Sequence, residues 1–157
     1  MVDILLPVIM GRRRRKATSG TYLAVAHDSS PYVTIYKRDG DTFTKLDDPV
    51  SLPTGRGMGA AFSPNGTYLA VAHNSSPYIT IYKRDGDTFT KLSNPAIRPT
   101  STGYGAAFSP DGTHLAVVHY SSPYVTIYKR DGDTFTKLDD PVARPTGDGY
   151  GAAFSPI

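Results

Sequence analysis

The sequence predicts an all-β protein of repeated four-stranded antiparallel units, and three observations predict it. A 46-residue unit starts at Thr21, again at Thr67 and again at Thr113, with no insertion. Val, Ile, Thr, Tyr and Phe stand in short runs, the composition of strands. Gly and Pro punctuate those runs at close intervals, and no stretch carries a helical period. The first two copies differ at 11 of 46 positions, and Phe62, Phe108 and Phe154 keep the register throughout. Each copy is therefore one supersecondary unit stacked on its own kind.

The four strands follow in order. Gly103–Ser109 (GYGAAFS) predicts a first strand whose small residues suit a crowded position. Pro110-Asp111-Gly112 turns the chain, Pro pre-setting φ and Gly taking a positive φ. His114–His119, like Tyr68–His73 one copy earlier, alternates as a half-buried second strand. Ser-Ser-Pro breaks it, and Tyr124–Lys129 (YVTIYK) predicts a β-branched, aromatic third strand. Asp131-Gly132 is a hairpin signal leading to a fourth strand, Thr134–Leu138. A long connection rich in Pro and Gly returns to the next first strand. Four antiparallel strands in 46 residues is the size of one β-propeller blade, at about three blades per chain.

GAAFSPDGTHLAV and its sister segments resemble the first two strands of a WD-repeat blade, in which such a turn joins strands. The resemblance covers residues 21–157 and implies propeller architecture. The Trp-Asp pair that ends the third strand of that family is replaced by Tyr36-Lys37, Tyr82-Lys83 and Tyr128-Lys129, and the Gly-His pair is missing. No functional residue is carried over.

The phasing divides the chain into an arm, 1–19, and repeats, 20–157, that end in a lone first strand, Gly149–Pro156. Three leading strands lack a first strand, and the trailing first strand lacks a blade. Rings run from about four to eight blades, so three do not close. Open blade faces and an unpaired edge invite association. Two chains give six blades and three give nine, so a homodimer is expected before a homotrimer. Tyr150, Ala152 and Phe154 are the residues expected to close the ring.

Charge adds little to this frame. Arg12, Arg13, Arg14, Arg15 and Lys16 supply five of the 17 basic residues, leaving 12 basic and 13 acidic residues from Ala17 onward. The basic run suits nucleic acid or an import receptor, or is the remnant of a lost blade. Ile4–Met10 precedes the charges, the wrong order for a signal peptide, and is too short to span a bilayer. A cytoplasmic or virion-associated location is the resulting expectation. Without cysteine, disulfides and thiolate metal sites are excluded.

The loops after the second and fourth strands share one rim, and differences between copies gather there. The candidate binding rim comprises His27, Asp28 and Tyr32 from the first copy with Arg56 from its connection. His73, Asn74, Tyr78 and Arg98 belong to the second copy, and His119, Tyr120, Tyr124 and Arg144 to the third. Each histidine is expected to close its strand by bonding the following Ser-Ser loop rather than a metal. The pairs Asp39/Asp41, Asp85/Asp87 and Asp131/Asp133 offer oxygens of the kind calcium takes, but Asp-Gly already serves the hairpin. The chain has no Glu and no nucleophile beside a base, phosphate loop or catalytic carboxylate pair. The sequence therefore predicts a non-enzymatic, self-assembling scaffold, without cofactor or metal, that binds a partner on one rim. Alternatives are a glycan-binding lectin with one weak site per blade, and a recently amplified or engineered repeat with no evolved ligand.

Overall fold

The computed structural model describes residues 20–157, so the basic arm lies outside the described residues. Strands β1 (Thr21–Ala26), β2 (Val33–Asp39) and β3 (Thr42–Lys45) form a three-stranded first sheet. Strands β4 (Gly57–Phe62), β5 (Tyr68–His73), β6 (Ile79–Asp85) and β7 (Thr88–Lys91) form the second. Strands β8 (Gly103–Phe108), β9 (His114–His119), β10 (Val125–Asp131) and β11 (Thr134–Lys137) form the third. Every pairing is antiparallel between chain neighbours, and the register repeats: Tyr36 faces Leu23, Tyr82 faces Leu69 and Tyr128 faces Leu115. These are propeller blades, the first lacking its first strand among the described residues. No helix among them is long and apolar enough to cross a membrane.

Local chemistry sets the strand ends. Gly86 and Gly132 take φ of 56° and 55° in the hairpin turns, a region that costs glycine nothing. Ser63 closes the turn between β4 and β5 by accepting the Tyr68 backbone N–H at 2.9 Å. The third strand of the last copy begins at Val125, one residue later than expected, and runs on to Asp131. Tyr124 sits at φ 68°, as Tyr32 and Tyr78 sit at 69°, and a left-handed residue cannot extend the ladder. The fourth strand stops at Lys137, although the Leu138 N–H still donates to the Ile127 carbonyl at 2.8 Å.

The blades stack through apolar cores lying between sheets rather than within them. Val33 and Ile35 of the first blade meet Leu69, Val71, Tyr82 and Phe89 of the second. Tyr68, Ala70, Ala72, Ile79 and Ile81 of the second meet Leu115, Val117, Tyr128 and Phe135 of the third. An aromatic cluster repeats at each joint. Phe62 and Tyr22 lie 6.1 and 5.9 Å from Phe89, and Phe108 and Tyr68 lie 6.3 and 5.9 Å from Phe135.

A polar lock accompanies each cluster. The Tyr22 hydroxyl donates to one oxygen of Asp87 at 2.7 Å, and Lys37 donates to the other at 2.8 Å. Tyr68 and Lys83 hold Asp133 in the same way, at 2.6 and 2.8 Å. Arg84 lies 4.6 Å over the Tyr22 ring and Arg130 lies 4.9 Å over that of Tyr68. The lysine bond, with the tyrosine bond behind it, holds the Asp87 and Asp133 carboxyls below their ordinary range. Both ion pairs are about half exposed, so they set the register of one blade on the next more than its stability.

Strands β4 and β8 converge, with glycine at the crossing. A Cβ on Gly59 would lie 2.6 Å from the Tyr104 carbonyl oxygen, a backbone atom that cannot step aside. Gly59→Ala is therefore expected to cost about 1–3 kcal/mol in urea unfolding. Gly105 stands in the same relation to the Tyr150 carbonyl oxygen, at 3.0 Å. The segment 149–156 thus lies where the first strand of a following blade belongs. Among the described residues it forms no ladder.

Candidate functional site

The rim expected to bind is built by the loops 27–32, 74–78 and 120–124 and the connections after β3, β7 and β11. Its histidines lie underneath it. His73 and His119 are fully buried, and their Nε2 atoms meet Thr80 Oγ1 at 2.9 Å and Thr126 Oγ1 at 3.0 Å. His27 meets Thr34 Oγ1 at 2.9 Å. The rings of His73 and His119 bond the backbone of the Ser-Ser loop at Ser75 and Ser121, as expected, and the threonine contact comes in addition. The ring reaches across to the neighbouring strand, because Thr at the next-but-one position of that strand presents a hydroxyl on the same face. These side chains brace the loop base and do not meet a ligand on the surface.

Burial pushes the His73 imidazole down from 6.5 to about 4, and lowers His119 as well. The folded chain holds His73 neutral, while the unfolded chain protonates it at its ordinary value. Its contribution is complete above pH 6.5 and drains away as pH falls toward 4. That loss is about 3 kcal/mol. Melting followed from pH 7.5 to 4.5 is expected to show this decline, and His73→Gln is expected to flatten much of it.

The remaining rim residues divide by exposure. Asp28, Tyr120, Arg56, Arg98 and Arg144 are exposed, and Asn74, Tyr32, Tyr78 and Tyr124 half-buried. Asp28 accepts from the Ser29 hydroxyl at 3.0 Å, Arg98 reaches Ser76 Oγ at 3.3 Å, and Arg144 pairs with Asp140 at 3.4 Å. The connections are anchored from below: the Tyr82 hydroxyl donates to the Ser51 carbonyl at 2.8 Å and Tyr128 to that of Ile97 at 2.9 Å. Burial raises both phenols far above their ordinary value.

One feature was absent from the expected rim. The register slips between Gly57 and Gly59 and between Gly103 and Gly105, leaving Met58 and Tyr104 as the extra residues of two bulges. Tyr104 packs on Tyr150 of the terminal segment, ring centroids 5.1 Å apart and tilted 41°. These residues sit at the rim end of the converging first strands, next to Arg56, Thr102 and Asp148 in the chain. The signal was present, since the position changes from Met to Tyr between copies inside an otherwise constant GxGAAF. Of the six hairpin aspartates considered for calcium, Asp87 and Asp133 give both oxygens to Tyr and Lys of the preceding blade.

No protein-family model and no curated protein matches the chain. Solved structures do. A "putative 6-phosphogluconolactonase" of Bacteroides fragilis is similar with TM-score 0.63 and 16% identity, over 76% of this chain and 34% of that one. A second so named, from Bacteroides uniformis, gives 0.59 and 19% over 78% and 40%. The periplasmic gluconolactonase of Pseudomonas aeruginosa gives 0.54 and 17% over 75% and 38%. The chain spans about a third to two fifths of their lengths. At these identities the likeness is one of fold, and the fold is that of a β-propeller. It does not single out the WD-repeat family. It also corrects the expectation of a non-enzymatic scaffold and of no enzyme. That expectation took plain repeated blades for a passive frame, and three of the solved propellers sharing this frame are named as lactonases.

Proposed function

We propose that the chain supplies blades to a lactone-hydrolysing propeller, with a sugar lactone held at the rim end of the first strands. The observation that carries this reading is the Tyr104–Tyr150 pair at 5.1 Å, with Tyr104 on a bulge of the kind that re-aims side chains beside active sites. The names of the three similar propellers support the substrate class. Tyrosine faces suit the C–H face of a sugar ring, and their hydroxyls suit its alcohols. Arg56 and Arg98, exposed on the same rim, suit a phosphate on that sugar. The reaction needs only water and a base. Water adds to the lactone carbonyl, its proton passes to a carboxylate, the ring C–O bond breaks, and the leaving oxygen takes the proton. Asp148, two residues before Tyr150, is the proposed base. The FSPDG-type turns stay on the opposite rim, where a WD-like blade would keep a structural turn.

The test is acid release from glucono-δ-lactone and its 6-phosphate, followed by pH-stat. A rate above spontaneous hydrolysis is expected, falling ~10²–10⁴-fold in Asp148→Asn. Tyr104→Ala should lower it with an unchanged circular dichroism spectrum. A folded protein that adds nothing to the spontaneous rate of either lactone overturns the reading.

A further inference from the structure

We propose that the open face of the first blade docks on the open face of the third blade of a second copy of this chain, reproducing the two internal joints. The inference is independent of the chemistry at the rim. It rests on what each internal joint contains and on where the same residues stand at the two open faces.

The incoming face of a blade is buried when a blade precedes it. Phe89 and Phe135 are 5% and 6% exposed, and Leu69, Val71, Leu115 and Val117 are fully buried. In the first blade the same positions are Phe43, Leu23 and Val25, at 49%, 43% and 42% exposure. Such a face with one apolar stripe uncovered is half of a joint. The outgoing face of the third blade is the other half. His114 stands where Tyr22 and Tyr68 stand, Lys129 where Lys37 and Lys83 stand, and Phe154 where Phe62 and Phe108 stand.

The repeat then assigns the contacts. Asp41 occupies the position of Asp87 and Asp133, and no hydrogen bond to its carboxylate, nor any from the Lys129 ammonium, is found among the described residues. Asp41 of the second copy meets Lys129 and His114, completing the lock with opposite charges. Phe43 of the second copy meets Phe154, completing the aromatic cluster. The segment 149–156 lies along the free edge of β1 of the second copy, as β4 lies along β5 and β8 along β9. Among the described residues β1 pairs with β2 alone. Two copies joined this way at both ends give two equal joints and six blades, a closed two-fold ring within the usual range.

Sedimentation equilibrium of the full chain at micromolar concentration tests this. A mass of two copies is expected. Phe43→Asp, exposed in the single chain, should leave the circular dichroism spectrum unchanged and weaken association by about 30-fold or more. Should that variant fail to fold, charge reversal decides. Asp41→Lys and Lys129→Asp should each weaken association by about 10-fold, and the double variant should regain it. A folded monomer, or an assembly indifferent to these changes, overturns the proposal. A three-copy mass overturns the six-blade ring.

Discussion

Phe108→Asp is expected to abolish the folded state of the single chain. Phe108 is 9% exposed, and its ring packs on Phe135 at the joint between the second and third blades. Removing a buried phenylalanine ring costs ~3–5 kcal/mol. The carboxylate put in its place enters an apolar cluster of Tyr68, Leu115 and Phe135, adding a desolvation cost of several kcal/mol. The total rivals the ~5–15 kcal/mol by which a domain of this size is stable. Far-ultraviolet circular dichroism should lose its sheet signal, and melting should lose its cooperative transition. A variant that melts within a few degrees of the parent would show that the inter-blade cluster is not the core.

The matching change at Phe154 is expected to act in a different place. Phe154 is 37% exposed in the single chain, so Phe154→Asp should leave the subunit folded. Stopping the chain after Thr146 should do the same, since the segment it removes forms no ladder among the described residues. The effect should fall on association. The segment would contribute several ladder bonds at ~0.5–1.5 kcal/mol each and burial of a phenylalanine at ~1.5–3 kcal/mol. Truncation should therefore yield monomers or open aggregates at concentrations where the full chain is expected to be a dimer, read by light scattering. A truncated chain that assembles and melts like the full one contradicts the split-blade closure.

Much of this frame was legible in the residues. Turns announce themselves through Gly at positive φ, and β5 and β9 span the expected Tyr68–His73 and His114–His119, although they are buried on both faces between blades rather than half-buried as expected. The third strands begin late because nothing in Ser-Ser-Pro-Tyr signals that the tyrosine turns left-handed. The histidines were located at strand ends, but their threonine partners lie on the neighbouring strand, and only the ladder brings the two together. The lock is less visible still. Lys37 and Asp87 belong to different copies, and no pattern within one 46-residue unit states which face of a blade meets the next. The site at Met58 and Tyr104 escaped for a related reason, since a bulge depends on the pairing of two strands. The expectation of no enzyme rested on a search for paired carboxylates and a nucleophile, whereas what corrects it is the names of propellers of similar fold, which no residue pattern in this chain announces.

Hydrogen exchange at the amides of Tyr150–Phe154 tests the ring most directly. Amides in the first strands β4 and β8 are paired within the chain and should exchange slowly. If a second copy takes up the terminal segment, Tyr150–Phe154 should be protected to a similar degree at micromolar concentration and should lose that protection in Phe43→Asp. Exchange at the rate of a free chain end in the full-length protein, with β4 and β8 protected, would contradict it.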